Sequence, residues 1–143
     1  LFDVPLFGRV IRFFRAFPLE TESADPTAVR GAARLLKAGQ AVMIFPEGRR
    51  TPDGRLQRFK PGAFRLACSL GAPIVPVTIV GGHEAWPPQR TFPRPGRITI
   101  VYHPPVAPAS GVPPRVAAPE LARQVRAVIA SRLPPHQQPL DGD

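Results

Sequence analysis

Between Ala41 and Arg50 the chain reads AVMIFPEGRR, an apolar run that stops at a proline, an acid, a glycine and two arginines. From Arg49 to Arg65 it then carries Arg49, Arg50, Arg55, Arg58, Lys60 and Arg65 against one acid, Asp53. Arginine offers a planar fork that matches phosphate and lysine offers a point charge, so together they suit a phosphomonoester. Gly48 lets a backbone come close to a ligand, and Lys60 and Gly62 stand ahead of a predicted helix whose first amides favour an anion. Glu47 has two possible uses: to orient an arginine, or to accept a hydrogen bond from a substrate hydroxyl. A solvated loop would carry the same charges. What separates the readings is placement, because the cluster follows directly on a predicted buried strand, and ligands of α/β sheets sit beyond the carboxyl ends of strands.

The elements that must hold these residues follow from periodicity and punctuation. In the opening stretch, Leu6, Phe7, Val10, Ile11, Phe13, Phe14 and Phe17 fall on one helical arc, with Arg9, Arg12 and Arg15 opposite. Such a helix packs on a sheet or lies in a membrane interface, and the pattern leaves both open. Asp25 as N-cap, Pro26 at the first helical position and Gly39 past the end delimit a second helix, with Val29, Ala32, Ala33 and Leu36 on its apolar face. AVMIF, APIVPVTIV and RITIVYH read as strands, the first two buried. TPDG at 51–54 is a turn, and Pro61 and Gly71 bracket another helix. The last helix is predicted over 119–133, with Leu121, Val125 and Val128 facing inward.

Helices alternating with strands over short connections imply an α/β fold, a mixed and partly parallel sheet flanked by helices. One domain is expected over residues 1–133, with a disordered tail at 134–143. The 21 prolines restrict the loops between elements.

With 143 residues, the chain is the size of one domain. Its single cysteine, Cys68, excludes an internal disulfide and a thiolate zinc cluster, in keeping with a reducing compartment; on an apolar helix face it reads as core. No stretch approaches the roughly 18 consecutive apolar residues of a membrane span. The net charge of +9 draws in a polyanion, an anionic membrane surface or a phosphorylated substrate without choosing among them. Nucleic-acid binding would need aromatics interleaved with arginine on a sheet face, or a recognition helix, and neither pattern is present.

FPEGRRT, then FKPGAFRLA, then APIVPVTI resemble the glycerolipid acyltransferases of the 1-acylglycerol-3-phosphate acyltransferase type. That family shows a Phe-Pro-Glu-Gly-Thr-Arg-Ser block, a Lys-x-Gly-Ala step and a Val-Pro-Val block in the same order. The resemblance runs from Leu1 to about Tyr102. It implies a glycerol-3-phosphate acyltransferase-like fold and transfer of an acyl group from acyl-CoA or acyl-carrier protein to a lysophospholipid hydroxyl, with no metal or other cofactor. It also implies work at the cytoplasmic face of a membrane, on a lysophospholipid and an acyl donor. Glu47, Gly48 and Arg50 would line the acceptor site, with Arg50 and Lys60 on the phosphate; Pro76 reads as structural or as part of the acyl-donor wall. Two departures stand out. Leu19, Glu20 and Thr21 lack the arginine expected after the family's second block, and Arg49 replaces a threonine beside Glu47, where it can compensate.

The family's general base, a histidine followed after four residues by an aspartate, is expected upstream of Leu1, so no catalytic residue is assigned within these residues. His136 and Asp141 repeat that spacing, yet they follow the other blocks and Pro139 lies between them. His83 and Glu84 form a second possible acid/base pair, and His103 reads as an edge residue. Without the upstream pair, the alternative function is an inactive module that binds lipid phosphate or a membrane surface.

Overall fold

The computed structural model describes residues 26–140. The predicted opening helix and Asp25 therefore lie outside the described residues. The chain divides into two compact units, 1–42 and 43–143.

The described part of the first unit is helix α1, Pro26–Lys37. Pro26 takes the first helical position, and Ala28 and Ala32, one turn apart, are buried. Arg34 and Lys37 fall in the last turn, where positive charge complements the helix dipole. Gly39 ends the helix at φ 73°, with its amide on the Leu36 carbonyl and the Gln40 amide on that of Leu35. This double closure is a Schellman motif and needs a left-handed residue.

In the second unit the order is helix α2 (Gly62–Leu70), strand β1 (Val77–Val80), the one-turn helix α3 (Gly82–Ala85), strand β2 (Thr99–Tyr102), helix α4 (Pro114–Ala130) and a 3-10 turn (Pro135–Gln137). The core lies between α2 and α4, where Phe64 and Ala67 meet Ala118, Leu121 and Val125. Phe59 stacks on Phe64 with ring centroids 5.9 Å apart, so the chain entering α2 is fixed by the same core. Cys68 packs at its margin, as expected, and burial pushes its thiol pKa up.

The ladder between β1 and β2 is antiparallel, pairing Val77 with Tyr102 and Ile79 with Ile100. Pro76 has no amide hydrogen to extend it; its side chain is fully buried and its carbonyl accepts from the His103 amide at 3.0 Å. Pairing resumes at Ile74 and Val106. One face of this ribbon meets α4: the hydroxyl of the fully buried Thr78 donates to the Ile129 carbonyl at 3.0 Å. Its single proton being so used, the oxygen accepts from His103 Nε2 at 2.8 Å, which sets that ring's tautomer. His103 is thus half-buried and bonded rather than a bare edge residue.

Three expectations change. AVMIF makes no sheet pairing among the described residues, and Met43 and Phe45 are exposed. APIVPVTIV is not a buried strand throughout, since Val75 and Ile79 lie on the ribbon's outer side and are exposed. An apolar run shows that a segment is fit for burial, but the layer that covers it is set elsewhere in the chain. α4 begins at Pro114, five residues before the predicted start at Pro119. Pro119 forfeits one helical hydrogen bond, and the burial of Ala117 and Ala118 around it offsets that loss.

Residues 134–140 make contacts of their own: Gln137 is buried, its carbonyl accepts from the Leu56 amide at 3.0 Å, and the Gln138 amide group donates to the carbonyls of Ala130 and Leu133. Six consecutive polar and proline residues, 134–139, carry no apolar signal; the binding is polar.

Thr78→Val keeps the side-chain shape and strands the Ile129 carbonyl and the His103 ring. It should lower stability by about 1–3 kcal/mol in urea denaturation; an unchanged midpoint would mean that these bonds do not hold the sheet to α4.

Candidate functional site

The turn that follows Phe45 is built on Gly48, whose φ of 74° is left-handed and whose amide bonds the Phe45 carbonyl at 3.0 Å. A side chain at that φ would be strained, which accounts for glycine between Glu47 and Arg49. The Lys60 amide donates to the Pro46 carbonyl at 2.8 Å, laying the residues that lead into α2 beside this turn. Gly62 opens α2 behind Pro61, whose N-cap position supplies no side-chain hydrogen bond. A Cβ on Gly62 would meet nothing within 4 Å, so the space over the helix start is open.

Glu47 does not reach outward. Its Oε2 accepts from the Gln57 amide at 2.9 Å, closing a ten-residue loop. Burial is the largest influence on its carboxyl and pushes the pKa up; the Gln57 amide and the charge of Arg126 pull it back only in part. Arg126, on α4, donates from Nε to the Gln57 carbonyl at 3.2 Å and from Nη2 to that of Leu56 at 3.3 Å. One guanidinium thus holds the strip of chain that holds Glu47. Inside the loop, Asp53 accepts from the Thr51 hydroxyl at 2.9 Å and the Arg55 amide at 3.0 Å, so TPDG is the turn expected. The Arg55 amide is the main cause that keeps the Asp53 carboxyl below its ordinary pKa.

Arg50 lies over Trp86, its guanidinium carbon 5.0 Å from the ring centroid, and Nη1 makes a long 3.5 Å contact to the Trp86 carbonyl. Arg49 is exposed on the same turn. The six basic residues are therefore not one pocket. Glu47, Gly48, Arg49, Arg50, Lys60 and Gly62 lie along two adjoining limbs, whereas Arg55 turns away and donates to the Gln138 carbonyl at 3.2 Å.

Neither histidine pair is expected to be catalytic, and His83 and His136 make other contacts. The His83 ring lies against Gly54 rather than on Glu84. Glu84 instead takes His136 Nε2 at 3.2 Å and Gln137 Nε2 at 2.7 Å on its Oε1. Burial opposes its ionisation most strongly, but hydrogen bonds from its own backbone amide, His136 and Gln137 together bring its pKa down. His136 thus acts as a strap residue, and Asp141 lies outside the described residues. As site residues, Arg126, Gln57 and Trp86 escaped the sequence reading, which has Trp86 only as packing that stabilises its loop. The only signals were a cation between the inward-facing Val125 and Val128, and a lone tryptophan before two prolines.

The acyltransferase family profile matches residues 1–80. The crystal structure of the 1-acyl-sn-glycerophosphate acyltransferase from Thermotoga maritima matches with a TM-score of 0.71 at 31% identity, over 90% of this chain and 50% of that one. A 1-acyl-sn-glycerol-3-phosphate acyltransferase from Chlamydomonas reinhardtii is 38% identical over 71% of this chain and 29% of its own length. One from Pseudomonas aeruginosa is 32% identical over 93% and 52%. The chain thus spans between about a third and about half of the relatives it matches. The expected α/β class stands on the likeness to the Thermotoga protein, and the expected family stands on the profile and the identities. The chain belongs to the acyltransferase family.

Proposed function

We propose that these residues hold the acceptor in an enzyme that moves a fatty acyl group from acyl-CoA or acyl-carrier protein to the free hydroxyl of 1-acylglycerol-3-phosphate. The observation that carries the reading is the turn at 47–50, tied to Gln57 through Glu47 and, through Pro46, to Lys60 just ahead of the uncapped start of α2. Arg50 supplies a fork to the acceptor's phosphate, Lys60 a second charge and the first amides of α2 a partial positive end. The hydroxyl proton passes to a general base as the acceptor oxygen adds to the thioester carbonyl; the C–S bond then breaks, and the base returns that proton to the thiolate, which leaves as the thiol of the donor carrier. The family resemblance assigns that base to a histidine/aspartate pair ahead of Leu1. His83, His103 and His136 are each engaged structurally, which supports leaving the base outside the described residues.

Among the described residues no helix is long and apolar enough to cross a membrane. The net charge of +9 favours an anionic lipid surface, the place where a lysophospholipid is met. We place the enzyme at the cytoplasmic face on that basis.

Glu47 carries a cost that fits a functional group. Its pKa is raised on folding, so the folded protein holds that proton more tightly than the unfolded chain does. Its contribution is most favourable at low pH and is lost as pH rises through the raised folded value. Glu47→Gln, which can still accept from Gln57, should therefore melt at the same or a higher temperature than wild type at pH 7. That difference should shrink below the ordinary carboxylate range. A mutant that melts lower at pH 7 and converges on wild type in acid would reverse the sign assigned here.

Acyl transfer from a labelled donor to 1-acylglycerol-3-phosphate tests the reading itself. In the enzyme, Arg50→Ala should cut kcat/KM by about a hundredfold or more, the loss of a charged hydrogen-bonding pair of about 3 kcal/mol. Wild-type rates in Arg50→Ala and Glu47→Ala together would refute the site assignment. Saturable phosphate-ligand binding with no transfer by the intact protein would support the binding module instead.

A further inference from the structure

We propose that Trp86 is a positioning residue: its indole face fixes the guanidinium of Arg50 in the orientation that receives the acceptor's phosphate. This rests on the acceptor-site reading above and adds a residue to it that lies outside the Glu47–Gly62 blocks.

Arg50 is exposed, and an exposed arginine samples many rotamers. Each of them must be given up when the guanidinium engages a phosphate. Its position over the Trp86 ring, with the guanidinium carbon 5.0 Å from the centroid, narrows that freedom in advance. A cation–ring contact does not consume the N–H donors of the guanidinium. One of these, on Nη1, lies toward the Trp86 carbonyl. The remaining edge can form the paired bonds that a phosphate accepts. A lysine at position 50 would keep the charge and lose both the stacking and the fork.

The ring can serve as a fixed platform because it is itself held. Its Nε1–H donates to the Arg90 carbonyl at 3.0 Å, and its backbone amide closes α3 on the Gly82 carbonyl at 3.0 Å. The far end of the segment returns to α3, with the Arg94 amide on the Ala85 carbonyl at 2.8 Å and Arg94 Nε on the Glu84 carbonyl at 2.6 Å. Pro87 and Pro88 follow the ring directly and limit the backbone that carries it. At the start of α3, Gly81 sits at φ 89°, where a Cβ would be driven into the Arg97 carbonyl oxygen. The segment from Gly81 to Arg97 is thus a closed frame with Trp86 facing Arg50. GGHEAWPP contributes to the site through the ring rather than through its histidine or acid.

The effect should fall on acceptor binding and spare the donor. In steady-state kinetics of the full-length protein with 1-acylglycerol-3-phosphate and acyl-CoA, Trp86→Leu should raise the acceptor KM about tenfold. The donor KM and kcat should stay within about twofold, and Trp86→Tyr, which keeps a ring face, should restore the acceptor KM to within about threefold. Should Trp86→Leu not fold, Trp86→Met supplies an unbranched apolar side chain without a ring and carries the same expectation. An unchanged or lower acceptor KM in Leu or Met, or equal losses in Leu, Met and Tyr, would overturn the proposal. Arg50→Ala in the same assay separates the two levels. A raised acceptor KM there beside wild-type behaviour at position 86 sinks the positioning role alone, whereas a wild-type KM in Arg50→Ala sinks the site.

Discussion

The packing of α4 on α2 is the constraint from which the site geometry follows. Phe64 is buried in that interface against Ala118, Leu121 and Val125, an apolar side chain worth about 1.5–3 kcal/mol removed from water. Once α4 lies there, its next exposed edge brings Arg126 to the carbonyls of Leu56 and Gln57. Those carbonyls belong to the strip whose amide holds Glu47, so a hydrophobic contact sets the position of a polar turn far from it in sequence. Phe59 completes the link, since its stacking on Phe64 fixes the chain between Gln57 and Lys60.

The basic run that looks uniform in the sequence is divided by this framework into separate jobs. Arg55 fastens the tail, Arg126 supports the loop from beneath, and Arg50 rests on a ring. Glu47, the acid set among these cations, is half-buried and bonded to a backbone amide; its raised pKa reports the cost of keeping a carboxylate there. Such expense is tolerated where a group has a task in the folded state.

Much of this could be read from the sequence wherever the cause was local. Pro26, Gly39, Pro61 and Gly71 gave the helix limits because a fixed φ or a left-handed cap acts within a turn of where it stands. The ordered blocks FPEGRRT, FKPGAFRLA and APIVPVTI gave the family. What could not be read depends on partners distant in sequence. The Arg126 bond to Gln57 spans 69 residues and that of Arg50 to Trp86 spans 36. Whether AVMIF pairs as a strand depends on a neighbour that its own pattern does not specify. The start of α4 is ambiguous in the sequence because Pro114 and Pro119 both satisfy the first-turn rule, and only the burial of Ala117 and Ala118 chooses between them.

The central claim is that the turn at 47–50 and the start of α2 form one phosphate-receiving surface with Trp86 at its edge. Titrating the isotopically labelled protein with sn-glycerol 3-phosphate, while following backbone amides and the Trp86 indole N–H by NMR, tests it directly. The account predicts that the amides of Gly48, Arg50 and Gly62 and the indole N–H shift together along one saturable curve. Saturable shifts confined to other regions, or independent curves for the turn and the helix start, would contradict it.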